Sequence, residues 1–316
     1  MDKLVNAINC NIGRGKYRGI YAILPTPFNG DLSVDYGALE NIVEYCVACG
    51  AHGAVTPANA SEQPMLMDDE RRKIVETAVK KARGRMPVVA GVTAANGFAA
   101  ARYARWACEA GADALMAMPP YVIKASPAAI TEYYLAIDRA STVPIIIQNY
   151  GGPVGTPMTP SLMLDICAKG ERVLFIKEEC QFSSQIITET LALAKARPDN
   201  RMSGIMGGKA GKYIIEEFLR GAVGNMPACE IADVHVKIWD CCENGAFGEA
   251  QGMLDLVQPL LNFEAIYGSY GYKEVLRRRG VIPAAYSRSV NEPGLDACDH
   301  RELDRIMASV APLFTI

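Results

Sequence analysis

Short apolar runs alternate along this chain with longer stretches in which apolar residues recur at helical spacing. The short runs, rich in Val, Ile, Leu and Met, are too brief for helices and fit buried strands, whereas the stretches between them carry the period of amphipathic helices. Strands are predicted over 20–24, 53–56, 86–92, 114–118, 144–148, 173–176, 201–205 and 222–225. Helices are predicted over 39–49, 68–82, 98–110, 127–140, 161–168, 183–196 and 209–219. Local signals agree with this phasing. Gly50 is a natural stop for the first helix, Asp68, Asp69 and Glu70 suit the positive end of the second, and Pro127 suits the first turn of the fourth. Eight strand–helix repeats specify an α/β fold, a (β/α)8 TIM barrel, over residues 17–228. The pattern beyond is only helical, through 233–244, 247–263, 272–279 and 303–313, so 229–316 forms a C-terminal helical region and 1–16 an N-terminal extension.

Composition narrows the class. Half of the 316 residues are hydrophobic, enough for one large core, and a net charge of -3 with mixed signs gives neither a basic stripe for nucleic acid nor an acidic tail. No run approaches the roughly 18 apolar residues of a membrane span, and residues 1–16 lack the apolar core of a signal peptide. A soluble, cytoplasmic protein with a small-molecule partner is expected. The ten cysteines form no paired CxxC clusters and there are three histidines, so the thiols read as reduced, packed side chains and no metal site is expected.

In such a barrel the loops after the strands face one pocket. Those positions hold Thr26 and Pro27; Asn59, Ala60, Ser61 and Glu62; Thr93; Tyr121; Gln148 and Asn149; Lys177; and Gly207, Gly208 and Lys209. They contain no Ser-His-Asp set and no carboxylate cluster suited to a metal. Lys177 follows the apolar run Val173–Ile176 and precedes Glu178 and Glu179. An ordinary lysine, with a pKa of about 10.4, is a cation at neutral pH, but a desolvated amine can attack a ketone and form a Schiff base. The same residues also fit a lysine that caps the strand or pairs with Glu178 or Glu179. Glu179 reads as structural or paired with a cation, Tyr150 as a rim residue, and Arg277–Arg279 as a solvated helix end.

An ordered set of pieces carries a resemblance: Gly19-Ile20 through Thr26-Pro27-Phe28, Gly53 to Glu62, Asp69-Glu70-Arg71, Pro87 to Gly91, Pro120-Tyr121, Asn149, Ile176-Lys177-Glu178, and Lys273 through Gly280. The chain resembles the dihydrodipicolinate synthase and N-acetylneuraminate lyase superfamily of Schiff-base lyases and aldolases. The resemblance implies a covalent imine on Lys177 with no separate cofactor, a 2-keto acid substrate, and a homotetramer built from dimers.

Departures from the family pattern refine this expectation. The loop whose hydroxyls and amides hold the keto acid's carboxylate stands here as Ala58-Asn59-Ala60-Ser61-Glu62. The amides of Ala60 and Ser61 and the Ser61 hydroxyl remain as carboxylate donors, while the threonine proton relay is absent. The catalytic tyrosine of the fifth strand is replaced by Gln148, which can orient a substrate but cannot shuttle a proton as a phenol can. The arginine for a second carboxylate falls at Pro153, which speaks against a true dihydrodipicolinate synthase.

Asn59 with Ser61-Glu62-Gln63, Asp68–Arg71, Ala117–Tyr121, Gln148 and the glycine-rich ends of the last two strands resemble the 2-keto-3-deoxy sugar-acid dehydratase branch. That resemblance implies Lys177, Tyr121 and Gln148 as catalytic residues. It implies Asn59, Ala60, Ser61, Glu62, Asn149, Gly207, Gly208 and Lys209 as substrate contacts. Tyr121 would serve the leaving group or pack beneath a loop, and Glu62 would act as acid or base or fix loop amides. Loss of the usual phenol favours dehydration, though water or another tyrosine could substitute. A pyruvate-dependent aldolase, a synthase-like enzyme and a keto-acid-binding barrel without turnover are the alternatives.

Overall fold

A computed structural model of the chain describes residues 17–152, 156–289 and 294–316. The proposed extension over 1–16 and the Pro153 position lie outside the described residues. Eight parallel strands close into a barrel in chain order: β1 (Gly19–Ile23), β2 (Gly53–Thr56), β3 (Val88–Gly91), β4 (Ala114–Ala117), β5 (Ile145–Tyr150), β6 (Val173–Glu179), β7 (Gly204–Gly207) and β8 (Gly224–Asn225). The helices are α1 (Tyr36–Ala48), α2 (Asp68–Ala82), α3 (Gly97–Glu109), α4 (Pro127–Ala140), α5 (Pro160–Lys169), α6 (Ser183–Ala196), α7 (Ile214–Leu219), α8 (Ala232–Glu243), α9 (Phe247–Arg278) and α10 (Ala297–Val310). The (β/α)8 expectation therefore holds.

The chain's packing divides into two compact units. One comprises residues 17–18, 89–209 and 216–226. Its strands bury successive residues, among them Leu115, Ile145, Ile146, Ile147, Val173 and Ile176, which is why they read as continuous apolar runs. Three of its helices start on side-chain caps: Asn96 accepts from the Ala99 amide, Ser126 from Ala129 and Thr159 from Leu162. The other unit comprises 19–88, 210–215 and 227–316. Its core gathers Leu24, Phe28, Leu39, Ile42 and Ile74 with Cys229, Ala232, Leu276 and Ile282 from the C-terminal segment.

Two differences from the sequence reading have local causes. The pattern over 247–279 reads as two helices because Gly268 and Gly271 interrupt it, yet α9 continues through with its break confined to Gly268 (φ 50°, ψ -127°). The segment 209–219 reads as one helix, but Lys209 and Ala210 both adopt left-handed backbone (φ 49° and 58°), leaving a turn before α7. Among the described residues no helix is long and apolar enough to cross a membrane, and the cysteines are all free.

Candidate active site

β5 and β6 pair with Gln148 beside Lys177, Asn149 beside Glu178 and Tyr150 beside Glu179. Side chains alternate along a strand, so Gln148, Tyr150, Lys177 and Glu179 share one face and Asn149 and Glu178 the other. The apolar pattern ends β6 at Ile176, but the strand continues to Glu179. Those three residues bring the second glutamate onto the lysine's face.

Lys177 is 1% exposed, and its Nζ lies 2.9 Å from Glu179 Oε2. The same oxygen accepts a 2.6 Å hydrogen bond from Gln148 Nε2, and Glu179 Oε1 accepts one of 3.3 Å from the Lys209 backbone N–H. Glu179 is thus the hub of the cluster. A carboxylate in contact with a buried amine can take its proton, hold it and return it, as imine formation and proton abstraction next to an imine both require. The half-buried Tyr150 phenol is pushed above its ordinary pKa by burial and by the Glu179 charge. Lys209 is half-buried, and its ammonium has no hydrogen-bond or ion-pair partner among the described residues.

The two glycines closing β7 make room for carboxyl groups. A Cβ on Gly208 would collide with Glu179, and one on Gly207 with Glu217. Glu217, on α7, is 1% exposed and accepts hydrogen bonds from Ser183 Oγ (2.8 Å) and Asn225 Nδ2 (2.7 Å). Burial pushes its carboxyl up to about 8, with the Glu179 charge adding to the effect.

Several residues expected at the substrate are committed elsewhere. Asn149 engages both ends of its amide with the fold: Nδ2 donates to Met158 O (3.1 Å) and Glu178 Oε2 (2.7 Å), and Oδ1 accepts from the Met158 amide (2.8 Å). Alternation sets Asn149 on the face opposite Lys177, where these bonds engage it with the fold. Gly207 and Gly208 act as spacers. In the other unit, Ser61 is fully buried; its hydroxyl donates to Leu24 O (2.5 Å) and its amide to Ala58 O (2.9 Å). Neither Ser61 donor is left for a carboxylate.

Glu62, with left-handed backbone (φ 55°), ties its loop to the C-terminal segment. It accepts from Lys273 Nζ, from Ser287 Oγ (2.8 Å) and from the Arg288 amide (2.7 Å), so it holds a loop amide, as one of its two sequence readings expects, and its carboxylate is engaged within the fold. Ala60 offers its carbonyl to Tyr272 Oη (2.8 Å), and Asn59 opens the same 3-10 turn. Tyr121 is partly exposed on the loop after β4. The pairing of Lys177 with a following glutamate, one of the two expected for it, is found at Glu179. Sequence reasoning missed Glu217, which lies on a helix with no local signal.

A closed eight-stranded barrel with a buried lysine near the end of its sixth strand defines the chain's class, the lysine-bearing (β/α)8 proteins. Residues 16–293 match the dihydrodipicolinate synthetase family, and the chain belongs to it. Members of that family are lyases that work through a covalent lysine Schiff base and need no free cofactor. An L-2-keto-3-deoxyarabonate dehydratase of Azospirillum brasilense is 25% identical over 301 residues, covering 94% of this chain and 96% of its own length. A 4-hydroxy-tetrahydrodipicolinate synthase of Chlorobium chlorochromatii is 33% identical over 182 residues, 58% of this chain; the match spans 60% of that relative's length. The crystal structure of a dihydrodipicolinate synthase from Rhodopseudomonas palustris superposes with a TM-score of 0.86 at 26% identity, covering 93% of this chain and 98% of that one.

Proposed function

We propose that this chain is a Schiff-base hydro-lyase that dehydrates a 2-keto-3-deoxy sugar acid. The observation that carries the reading is the Glu179 carboxylate, held between Lys177 Nζ and Gln148 Nε2 on one face of β5 and β6. Lys177 hands a proton to Glu179, attacks the C2 ketone and loses the carbonyl oxygen as water, leaving a cationic imine. The imine acidifies C3, and the carboxylate beside it takes the C3 proton. The electron pair released at C3 then expels the C4 hydroxyl, which leaves with a proton as a second water. Hydrolysis of the remaining imine frees the product and restores Lys177.

Retro-aldol cleavage instead needs a base at the C4 hydroxyl, and the residue in the family's tyrosine position is the amide of Gln148. An amide cannot accept that proton, so the arrangement favours elimination. Full-length similarity to a 2-keto-3-deoxyarabonate dehydratase supports the same choice. Lys209, unpaired beside the cluster, is the cation available to the substrate's hydroxyls or carboxylate.

Borohydride trapping with 2-keto-3-deoxypentonate, read by intact mass and peptide mapping, tests the reading. A five-carbon adduct on Lys177, one water lighter than the substrate imine, is expected. A three-carbon adduct would make the protein an aldolase, and a folded sample that traps no 2-keto acid would be a binding protein without turnover.

A further inference from the structure

Dehydration needs two proton movements, and Glu179 accounts for the one at C3. The departing C4 oxygen requires an acid of its own, because hydroxide is a poor leaving group. The residue expected to supply that acid in the sequence pattern, at position 148, is glutamine. Two residues further along β5, on the same face and in register with Glu179, stands Tyr150. Two residues advance a strand by about 6.6 Å, so Tyr150 lies one layer beyond Gln148 and Lys177 toward the strand's C-terminal end. A substrate bound through C2 to Lys177 and extending in that direction would set C3 beside the Glu179 carboxylate, which reaches back to Lys177 Nζ, and C4 toward Tyr150.

The phenol is placed by its neighbours. Its tip lies against the Gly152 backbone, where a Cβ would collide with Cζ and Oη. The Tyr150 hydroxyl makes no hydrogen bond among the described residues, while Asn149, one residue earlier, has both its amide nitrogen and its amide oxygen bonded within the fold. The Glu179 charge acts on the phenol and opposes its ionisation, as expected of groups that share one pocket face.

We infer that Tyr150 is a catalytic residue, the general acid that protonates the departing C4 hydroxyl. The inference rests on the dehydratase reading of the site. The C4–O bond breaks with its electron pair staying on oxygen, the phenolic proton joins that oxygen, and water leaves. The C3 proton held by Glu179 then passes to the phenolate. The enzyme returns to its starting state and the substrate has lost one water. In this chain the phenol function has moved two residues along β5, while the position that usually bears it became an amide that holds Glu179.

The test compares wild type, Tyr150→Phe and Gly152→Ala, each reduced with borohydride in the presence of pyruvate or of 2-keto-3-deoxypentonate. Pyruvate needs no C4 chemistry, so its Lys177 adduct reports folding and imine formation alone. In Tyr150→Phe the pyruvate adduct is expected at wild-type yield, the pentonate adduct is expected to retain its water, and turnover is expected to fall about 10²–10⁴-fold. Gly152→Ala displaces the phenol without removing it and is expected to accumulate the same hydrated adduct with a smaller loss of turnover. Wild-type turnover in either variant, with the pyruvate adduct intact, overturns the assignment. If wild type itself gives a three-carbon adduct or none, the dehydratase reading fails and this assignment fails with it.

Discussion

Glu179 Oε2 lies 2.9 Å from Lys177 Nζ, with the two side chains on one face of β6, the lysine 1% and the glutamate 10% exposed. A buried ion pair of this kind contributes little net stability, because the cost of desolvating both charges offsets their attraction. In the proposed reaction the pair serves instead to pass a proton between nucleophile and base.

Replacing Glu179 with Gln keeps the shape and removes the base. The variant is expected to form the pyruvate adduct on Lys177 more slowly but still detectably, and to lose about 10²–10⁴-fold in dehydration rate. Lys177→Met is expected to trap nothing. Dehydration by Glu179→Gln at the wild-type rate would remove Glu179 from the mechanism.

The glycines at the end of β7 give a steric test of the same cluster. Gly208→Ala drives a methyl into the Glu179 carboxylate and is expected to reduce turnover sharply. Gly207→Ala displaces Glu217 and is expected to act mainly on stability, by about 1–3 kcal/mol, as overpacking of a filled site does. Chemical denaturation and steady-state rates on the two variants separate the effects.

What the sequence disclosed, and what it hid, follows from the range of each interaction. Val173–Ile176 announces a buried strand by itself, and eight such runs with helical stretches between them announce a barrel. The lysine at the strand's end is legible for the same reason. Polarity hid the rest: Lys177, Glu178 and Glu179 look like the start of a loop, yet all three continue β6. Asn149 looks as available as Gln148, and only the face each occupies decides that one is a structural clip. Ser61 stands in a loop where hydroxyls bind substrate in the resembling family, but its proton goes to Leu24, 37 residues away. Glu62 meets Lys273 across 211 residues, beyond any local pattern.

Glu217 gives stability a pH dependence. Its carboxyl is raised from 4.5 in the reference state to about 8 by burial, so between these values the folded protein holds a proton that the unfolded chain has released. The unfolded state then binds fewer protons, and stability falls as pH rises. The contribution is complete below about 4.5 and is lost as pH passes through about 8. Denaturation curves for wild type and Glu217→Gln across this range are expected to diverge, with the variant losing less stability toward alkaline pH. Parallel curves would mean that Glu217 stays ionised.

Lys273 and Glu62 form a buried pair between the loop after β2 and α9, with Lys273 also donating to Tyr286 O (2.8 Å). Removing one partner strands the other charge. Lys273→Met alone is expected to cost about 3–5 kcal/mol, and Lys273→Met with Glu62→Leu less than the sum of the two single changes. A double-mutant cycle by chemical denaturation measures the difference, and strict additivity would deny the coupling.

The alternation of side chains along β5 and β6 reaches beyond this one reaction. Positions 148, 150, 177 and 179 form one parity class, holding the groups assigned to the proposed reaction and the amide that holds Glu179, while 149 and 178 form the other and pin the chain to itself. Reaction and scaffold are therefore written on the same six residues in alternating letters. Substitutions within the first class can change the chemistry without loosening the barrel. Inserting or deleting one residue within either strand before these positions would exchange the two vocabularies, turning the clip toward the substrate and the nucleophile into the wall.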